Sequence, residues 1–208
     1  MAALFVTFEG GEGAGKSTHC RLLAERLRAL GRTVTLTREP GGSPEAEQVR
    51  ELLVSGATNR WSPEAEALLN YAARDSHLRE TIRPALARGE IVVCDRFIDS
   101  TRAYQGYAGG CDLGLIDMLE RQIVGTDRPR LTLVFDLDAA RGLERAGGRG
   151  TPGEDRFERK GVAFHQRLRD GFLAIAKAEP ERCRVIDASG PVEATANAVW
   201  RQVEPLVS

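Results

Sequence analysis

The sequence predicts an α/β protein, a doubly wound domain with about five parallel strands and helices on both faces. Three observations carry that expectation. Apolar runs alternate with helix-length amphipathic stretches from one end of the chain to the other, the order expected of a parallel sheet with crossover helices. The strand candidates are near-continuous apolar runs, which suits strands covered on both faces. No internal repeat or Pro/Gly/Ser-rich linker interrupts the pattern, so residues 1–208 read as one domain.

Leu4-Phe5-Val6-Thr7-Phe8 reads as a buried first strand that runs into a glycine-rich turn at Gly10. Cys20, Leu23, Leu27 and Leu30 then recur at helical spacing over about residues 16–30, closed by Gly31. Thr33–Thr37 makes a second strand, followed by the loop Arg38-Glu39-Pro40-Gly41-Gly42 and a shorter helix through Val49, Leu52 and Leu53. Ser62-Pro63, with Glu64 and Glu66 in the first turn, starts a long helix that runs towards Ala87 and that Pro84 bends or splits. Ile91–Asp95 is the third strand and Leu131–Asp136 the fourth, each apolar and ending on a carboxylate, with helical segments over about 98–125 between them. A short helix from Ala139 to Ala146, a flexible basic loop Gly147–Gly153, a helix over about 155–178, a strand Arg184–Asp187 and a final helix from Pro191 to about Val203 complete the chain.

With 42% apolar and 28% charged residues the chain can bury its own core. The 29 basic residues nearly cancel the 30 acidic ones, so a net charge of −1 gives no general attraction to nucleic acid or to an anionic membrane. Any anion site must be local. No apolar run approaches the ~20 residues of a membrane span, and Met1-Ala2-Ala3 leads into the first strand without a charged leader, so a cytoplasmic location is expected. Cys20, Cys94, Cys111 and Cys183 are too far apart to indicate a disulfide framework or a zinc site. The basic residues comprise 26 Arg and three Lys, so a lysine at a chemically placed position is informative.

Such a position exists. Gly10-Gly11-Glu12-Gly13-Ala14-Gly15-Lys16-Ser17 satisfies the phosphate-loop pattern of Gly, four residues, Gly, Lys, Ser or Thr, for which this composition predicts roughly 0.003 chance matches. The loop falls between the first strand and the first helix, where backbone N–H groups and a helix N-terminus form an anion cradle. Lys16 should bridge the β- and γ-phosphates of a nucleotide and the Ser17 hydroxyl should bind Mg²⁺. Asp95 ends the third strand at the sheet edge where ligands bind, placed either to support Mg²⁺ or to cap the following helix. Asp136 and Asp138 are expected to serve local turns. Arg38, Arg96, Arg145, Arg149 and Arg156 cluster at strand ends and around the Gly147–Gly153 loop, and several arginine forks near one triphosphate suggest that a second phosphate is held as well. A phosphate acceptor already carries an anionic oxygen and needs no general base.

FVTFEGGEGAGKST at 5–18, TREPGG at 37–42, CDRFIDS at 94–100, AYQG at 103–106 and DRFE at 155–158 together resemble bacterial thymidylate kinases over nearly the whole chain. The resemblance implies a P-loop NTPase fold, transfer of the γ-phosphoryl group of ATP to dTMP giving dTDP, a lid over about 142–157, Mg²⁺ and a homodimer. It assigns Gly10 to Thr18 to ATP, with Arg141 lying over adenine beside the Gly190-Pro191 loop. Arg38 and Arg96 would hold the acceptor phosphate, with Arg96 bridging towards the γ-phosphoryl group. Glu12 would receive the sugar 3′-hydroxyl, Arg74 a thymine carbonyl, and Thr101 the base edge, with Gln105 in the same pocket. Tyr104 would stand against C2′ and exclude a ribose hydroxyl. The loop has no basic residue at Gly11, Gly13 or Ala14, so the resemblance is to the subtype whose lid supplies the arginine: Arg149 first, Arg145 as the alternative, with Arg156 also in the lid. The chain departs from the family at Asn70, where relatives carry an aromatic that stacks on thymine, and at Ser43, the final Thr of REPGGT. The alternatives are another nucleoside monophosphate or deoxynucleoside kinase of the same fold, for which Glu39 could be a general base, and a P-loop switch ATPase.

Overall fold

A computed structural model describes residues 3–147 and 155–207. Five strands, β1 (Leu4–Gly10), β2 (Val34–Arg38), β3 (Ile91–Asp95), β4 (Leu131–Asp136) and β5 (Cys183–Asp187), form one sheet in the order β2-β3-β1-β4-β5. Every pairing is parallel. The register brings Arg38 opposite Asp95, Phe8 opposite Asp95, Gly10 opposite Phe135 and Asp136 opposite Asp187, so the strands end on one common edge.

Helices cover both faces. α1 (Lys16–Ala29) and α9 (Val192–Val207) pack Leu23, Leu27, Val199 and Val203 against Val6, Phe8, Val93 and Leu133. α3 (Pro63–His77), α5 (Ile98–Thr101) and α6 (Leu113–Ile123) bring Ala67, Tyr71, Ile98 and Ile116 to Phe5, Val92 and Cys94 on the opposite face. Phe164, Leu168, Phe172 and Ile175 of α8 (Val162–Ala178) extend that layer over Val134. The chain leaves β1 towards one face and β3 towards the other, which opens a crevice at the carboxyl ends of these two adjacent strands.

Local chemistry explains most boundaries and the differences from expectation. Ser62, Asp112 and Asp138 cap α3, α6 and α7 (Ala139–Ala146) by accepting backbone N–H bonds, so Asp138, expected to serve a local turn, serves a helix start. Asp136 is held by both nitrogens of one edge of the Arg169 fork, at 2.6 and 3.0 Å, again a structural role. The long helix expected towards Ala87 passes from α3 through a π-helical stretch, Leu78–Ile82, into α4 (Arg83–Ala87). Pro84 has no N–H to give to the preceding turn, and the wider π turn precedes it. A second π-helical stretch, Arg102–Ala108, follows α5, so residues 98–125 divide into three pieces. The expected helix from 155 is instead a 3₁₀ turn at Glu158–Lys160 and then α8, separated by Gly161 at φ +81°. The last helix continues to Val207, past Pro205.

Candidate active site

The turn after β1 sits at the mouth of the crevice. α7 closes on it so tightly that a Cβ on Gly13, whose φ is +67°, would overlap the carbonyl oxygen of Gly142. Lys16 opens α1, is buried, and donates from Nζ to the Gly11 carbonyl at 2.6 Å. Burial, and then the Arg96 charge, lower its pKa to about 8 against the opposing pull of Glu12, Asp95 and Glu9. The Ser17 hydroxyl donates to Asp95 Oδ2, and Asp95 Oδ1 is buried with no hydrogen-bond partner. A hydroxyl and an unsatisfied carboxylate oxygen side by side are hard oxygen donors of the kind that Mg²⁺ takes.

Arg96 follows β3 with φ at +69°, a left-handed conformation that is costly for a side-chain-bearing residue, and its N–H is fixed to the Phe8 carbonyl at 2.9 Å. That turn aims its guanidinium across the crevice: Nη1 donates to the Gly10 carbonyl at 2.9 Å and Nη2 to Glu12 Oε1 at 3.0 Å. The same Glu12 oxygen accepts the Tyr104 hydroxyl at 2.6 Å, and the Arg96 guanidinium lies 5.0 Å above the Tyr104 ring. Burial alone would raise the Glu12 pKa, but Arg96, Lys16 and the Tyr104 hydroxyl overcome it and hold the carboxyl at about 2. Glu12 is therefore an anionic acceptor at any working pH.

Two adjoining cavities meet at this cluster. One, of about 500 Å³, runs along Lys16, Ser17, Thr18, Arg38, Asp95 and Arg145. The other, of about 350 Å³, is walled by Asn70, Thr101, Tyr104, Gln105 and Phe157. Glu12, Ser17, Glu39, Arg50, Arg96 and Glu158 border both. The junction thus carries two arginines, while the far end of each cavity differs in character, charged in one and mixed aromatic and amide in the other.

Most of the residues expected from the sequence converge here. Arg38 is half-exposed and paired with Glu47 at 3.1 Å, on the rim of the larger cavity. Arg145 reaches the same cavity and donates to the Ala188 carbonyl at 3.2 Å. Arg74 is 1% exposed behind Glu39 and Thr101, donating to Glu39 Oε2 at 2.8 Å and from Nη2 to Thr101 Oγ1 and the Phe97 carbonyl, each at 3.0 Å. Gln105 donates to Glu66 Oε2 at 2.8 Å. Asn70 lines the smaller cavity but turns its amide back to the Glu66 carbonyl at 2.8 Å. Its neighbour Tyr71 points away, fully buried beneath the Arg74 guanidinium. Arg141 lies outside both cavities, exposed, with its charge acting on Asp187 at the end of β5. Arg149 lies outside the described residues.

One expectation is corrected. Arg156, read as a lid arginine, is fully buried and turned away from the phosphate loop. It pairs with Glu66 Oε1 and donates to the carbonyls of Ala57, Leu53 and Thr58 at 2.9, 3.0 and 3.2 Å. Its partner Glu66 lies 90 residues earlier on α3, so no local pattern announced the pairing.

The sequence reading also missed three residues. Glu9 is fully buried at the end of β1, where it accepts the Phe97 N–H at 2.7 Å and the Ser100 hydroxyl at 2.5 Å, bracing the turn that carries Arg96. Burial and the nearby Asp99 charge raise its pKa to about 7. A lone carboxylate closing an apolar strand was a signal that could have found it. Arg50 of α2 (Pro44–Val54) reaches the junction from a helix position that carries no distinguishing pattern, and Glu158, which closes the DRFE motif, reaches it from the turn before α8.

The comparisons agree with one another. A family model described as thymidylate kinase matches residues 8–199. The thymidylate kinase of Caulobacter vibrioides is 58% identical over 195 residues, covering 94% of this chain and 93% of that protein. That of Bradyrhizobium sp. is 52% identical over 200 residues, covering 96% and 88%. The crystal structure of thymidylate kinase from Ehrlichia chaffeensis superposes with a TM-score of 0.80 at 36% identity, covering 98% of this chain and 99% of that one.

Proposed function

The chain belongs to the thymidylate kinase family, and from that premise we propose how its residues divide the work. The enzyme transfers the γ-phosphoryl group of ATP to dTMP, giving dTDP and ADP in the route to dTTP. The observation that carries the assignment of roles is the pair of cavities sharing Arg96 and Arg50 at their junction. A donor triphosphate in one and an acceptor monophosphate in the other would meet there.

In this reading Gly10 to Thr18 and Lys16 take the ATP phosphates, and Arg141 with the Gly190-Pro191 loop takes the adenine side. Arg38, Arg50 and Arg96 hold the acceptor phosphate, and Arg96, braced by Glu9 through the Phe97 turn, neutralises charge between donor and acceptor. The acceptor oxygen is already anionic, so no side chain has to remove a proton. Ser17 and Asp95 fit Mg²⁺, because Asp95 Oδ1 is buried and unsatisfied beside the Ser17 hydroxyl. Mg²⁺ supplies charge neutralisation on the phosphates when bound. Arg145, already at the cavity, and Arg149 are the candidates for an arginine that closes with residues 142–157 acting as a lid.

On the acceptor side, Glu12 receives the 3′-hydroxyl while Tyr104 fills the space beside C2′. Arg74 reads a base carbonyl, and its buried Nη1 has no hydrogen-bond partner to compete for that role. Thr101 and Gln105 line the rest of the pocket. Asn70 supplies no stacking surface, and the aromatic rings that line this cavity are Tyr104 and Phe157, which stand edge-on to each other at 5.4 Å. A cytoplasmic homodimer belongs to the same reading. Exposed Leu68 on α3 and Met118 on α6, two helices in contact, are apolar groups that a second copy would cover.

The test is ADP formation from ATP and Mg²⁺ with dTMP, dUMP, UMP, dGMP, thymidine or no acceptor. Turnover confined to dTMP, with weaker dUMP, is expected. Preference for another acceptor would move the base assignment while leaving the phosphate chemistry in place.

A further inference from the structure

We propose that His77 and Glu39 are positioning residues that fix the plane of Arg74, and so set the grip on the acceptor base. The inference rests on Arg74 reading a base carbonyl.

A hydrogen-bonded chain runs through four side chains, two from the end of β2 and the loop after it and two from α3. Thr37 Oγ1, at the end of β2, meets His77 Nε2 at 2.7 Å. His77 Nδ1 meets Glu39 Oε1 at 2.9 Å, and Glu39 Oε2 takes the Arg74 Nε–H at 2.8 Å. A carboxylate only accepts, so Nδ1 is the donor in the middle link. His77 and Arg74 lie one turn apart on the same face of α3, which lets one carboxylate join them. Glu39, Arg74 and His77 are 5%, 1% and 0% exposed, so the chain is dry and its bonds are directional.

The arrangement divides the Arg74 fork. Nε and Nη2 both reach Glu39 Oε2 at 2.8 Å, and Nη2 is also held by the Phe97 carbonyl and Thr101 Oγ1, which together fix the guanidinium plane. Only Nη1 is left, buried and without a partner. A fixed pair of donors suits the carbonyl of a 4-oxopyrimidine and opposes a 4-amino group, which would bring donors against donors. His77 lines neither cavity, so its route to the acceptor is Glu39, the carboxylate that borders both cavities and holds Arg74. It is itself wedged: a Cβ on Gly42, at φ +86°, would overlap both His77 Nε2 and Thr37 Oγ1. With His77 gone, Glu39 Oε1 loses its anchor and the carboxylate is free to rotate under Arg74.

The test is steady-state kinetics of His77→Leu, His77→Asn, Arg74→Lys and the Arg74→Lys/His77→Leu double variant, with dTMP, dCMP and ATP varied. His77→Leu should raise KM for dTMP by about tenfold and narrow the preference for dTMP over dCMP, with kcat and KM for ATP within about twofold of the parent. His77→Asn, which restores a donor near the Nδ1 position, should recover most of the loss. In the Arg74→Lys background His77→Leu should add nothing. An unchanged KM for dTMP in folded His77→Leu overturns the proposal, as does an equal His77→Leu factor in both backgrounds while Arg74→Lys alone raises KM. A normal KM in Arg74→Lys overturns the base-reading role of Arg74 itself, and this inference with it. Should His77→Leu not fold, His77→Asn and His77→Gln carry the test: Asn must lie closer to the parent in KM for dTMP, and equality of the two overturns the relay.

Discussion

The phosphate end of the cleft and its base end are built on opposite plans. At the proposed phosphate end Gly10 to Thr18 are consecutive, four of them glycines that leave the backbone open, and Arg38 stands with 56% of its side chain exposed. At the base end Glu39, Arg74, Thr101 and Gln105 come from separate segments, all at 5% exposure or less, and they are bonded to one another and to Glu66 and His77 before any ligand arrives. The charge of a ligand explains the difference. A phosphate brings enough charge to be held by groups that are still partly solvated. A neutral base can be told from its neighbours only by desolvated donors fixed in advance, whose other bonds are already made.

If that division holds, the largest effect on stability should come from cutting the network beneath the base end. Arg156→Ala leaves Glu66 buried at 2% exposure without its guanidinium partner and takes a donor from the carbonyls of Leu53, Ala57 and Thr58. Breaking a buried pair of this kind costs about 3–5 kcal/mol, which for a domain of this size lowers Tm by roughly 6 °C or more. Thermal unfolding followed by circular dichroism checks it. A shift of a degree or two would mean that Arg156 faces solvent often enough to act as the lid arginine after all, and would erase the contrast between the two ends.

Arg96→Ala probes the junction, where the effect should fall on rate rather than on stability. It should lower kcat by at least roughly a hundredfold, the scale for removing a group that acts on transition-state charge, with KM for ATP little changed. Near-normal turnover would remove Arg96 from the chemistry and leave its strained turn unexplained.

The same division decided what could be read in advance. The sheet, the phosphate loop and the strand-end Asp95 were legible because each is written in adjacent residues: an apolar run, a glycine pattern, a carboxylate at the run's end. Arg156 was misread because its motif is local while its partner Glu66 belongs to α3, and burial of the pair depends on how the two segments pack. His77 and Glu39 lie 38 residues apart in the sequence, and that one carboxylate joins His77 to Arg74 is a fact of tertiary structure. Residues 78–82 and 102–108 read as ordinary helix because a π turn keeps nearly the same apolar spacing over so short a stretch.

The smallest predicted effect separates the two ends by pH. Lys16 carries its charge into a buried position beside Arg96, and burial followed by that repulsion lowers its pKa to about 8 in the free enzyme. The cation is the form that holds phosphate, so it is present below about pH 8 and is lost as pH rises through that value. The ratio kcat/KM for ATP, which reports the free enzyme, should therefore fall above pH 8 with a limiting slope of about tenfold per pH unit. Bound triphosphate stabilises the ammonium, so kcat at saturating ATP should hold to higher pH than kcat/KM does. Glu12 titrates at about 2 and contributes nothing in this range. On the acceptor side no such limb is expected from Lys16: with ATP saturating, kcat/KM for dTMP should follow the flatter profile. Two profiles that fall together would show that the lysine's charge is felt equally at both ends, and the division between a phosphate end that works by charge and a base end that works by preorganised donors would fail.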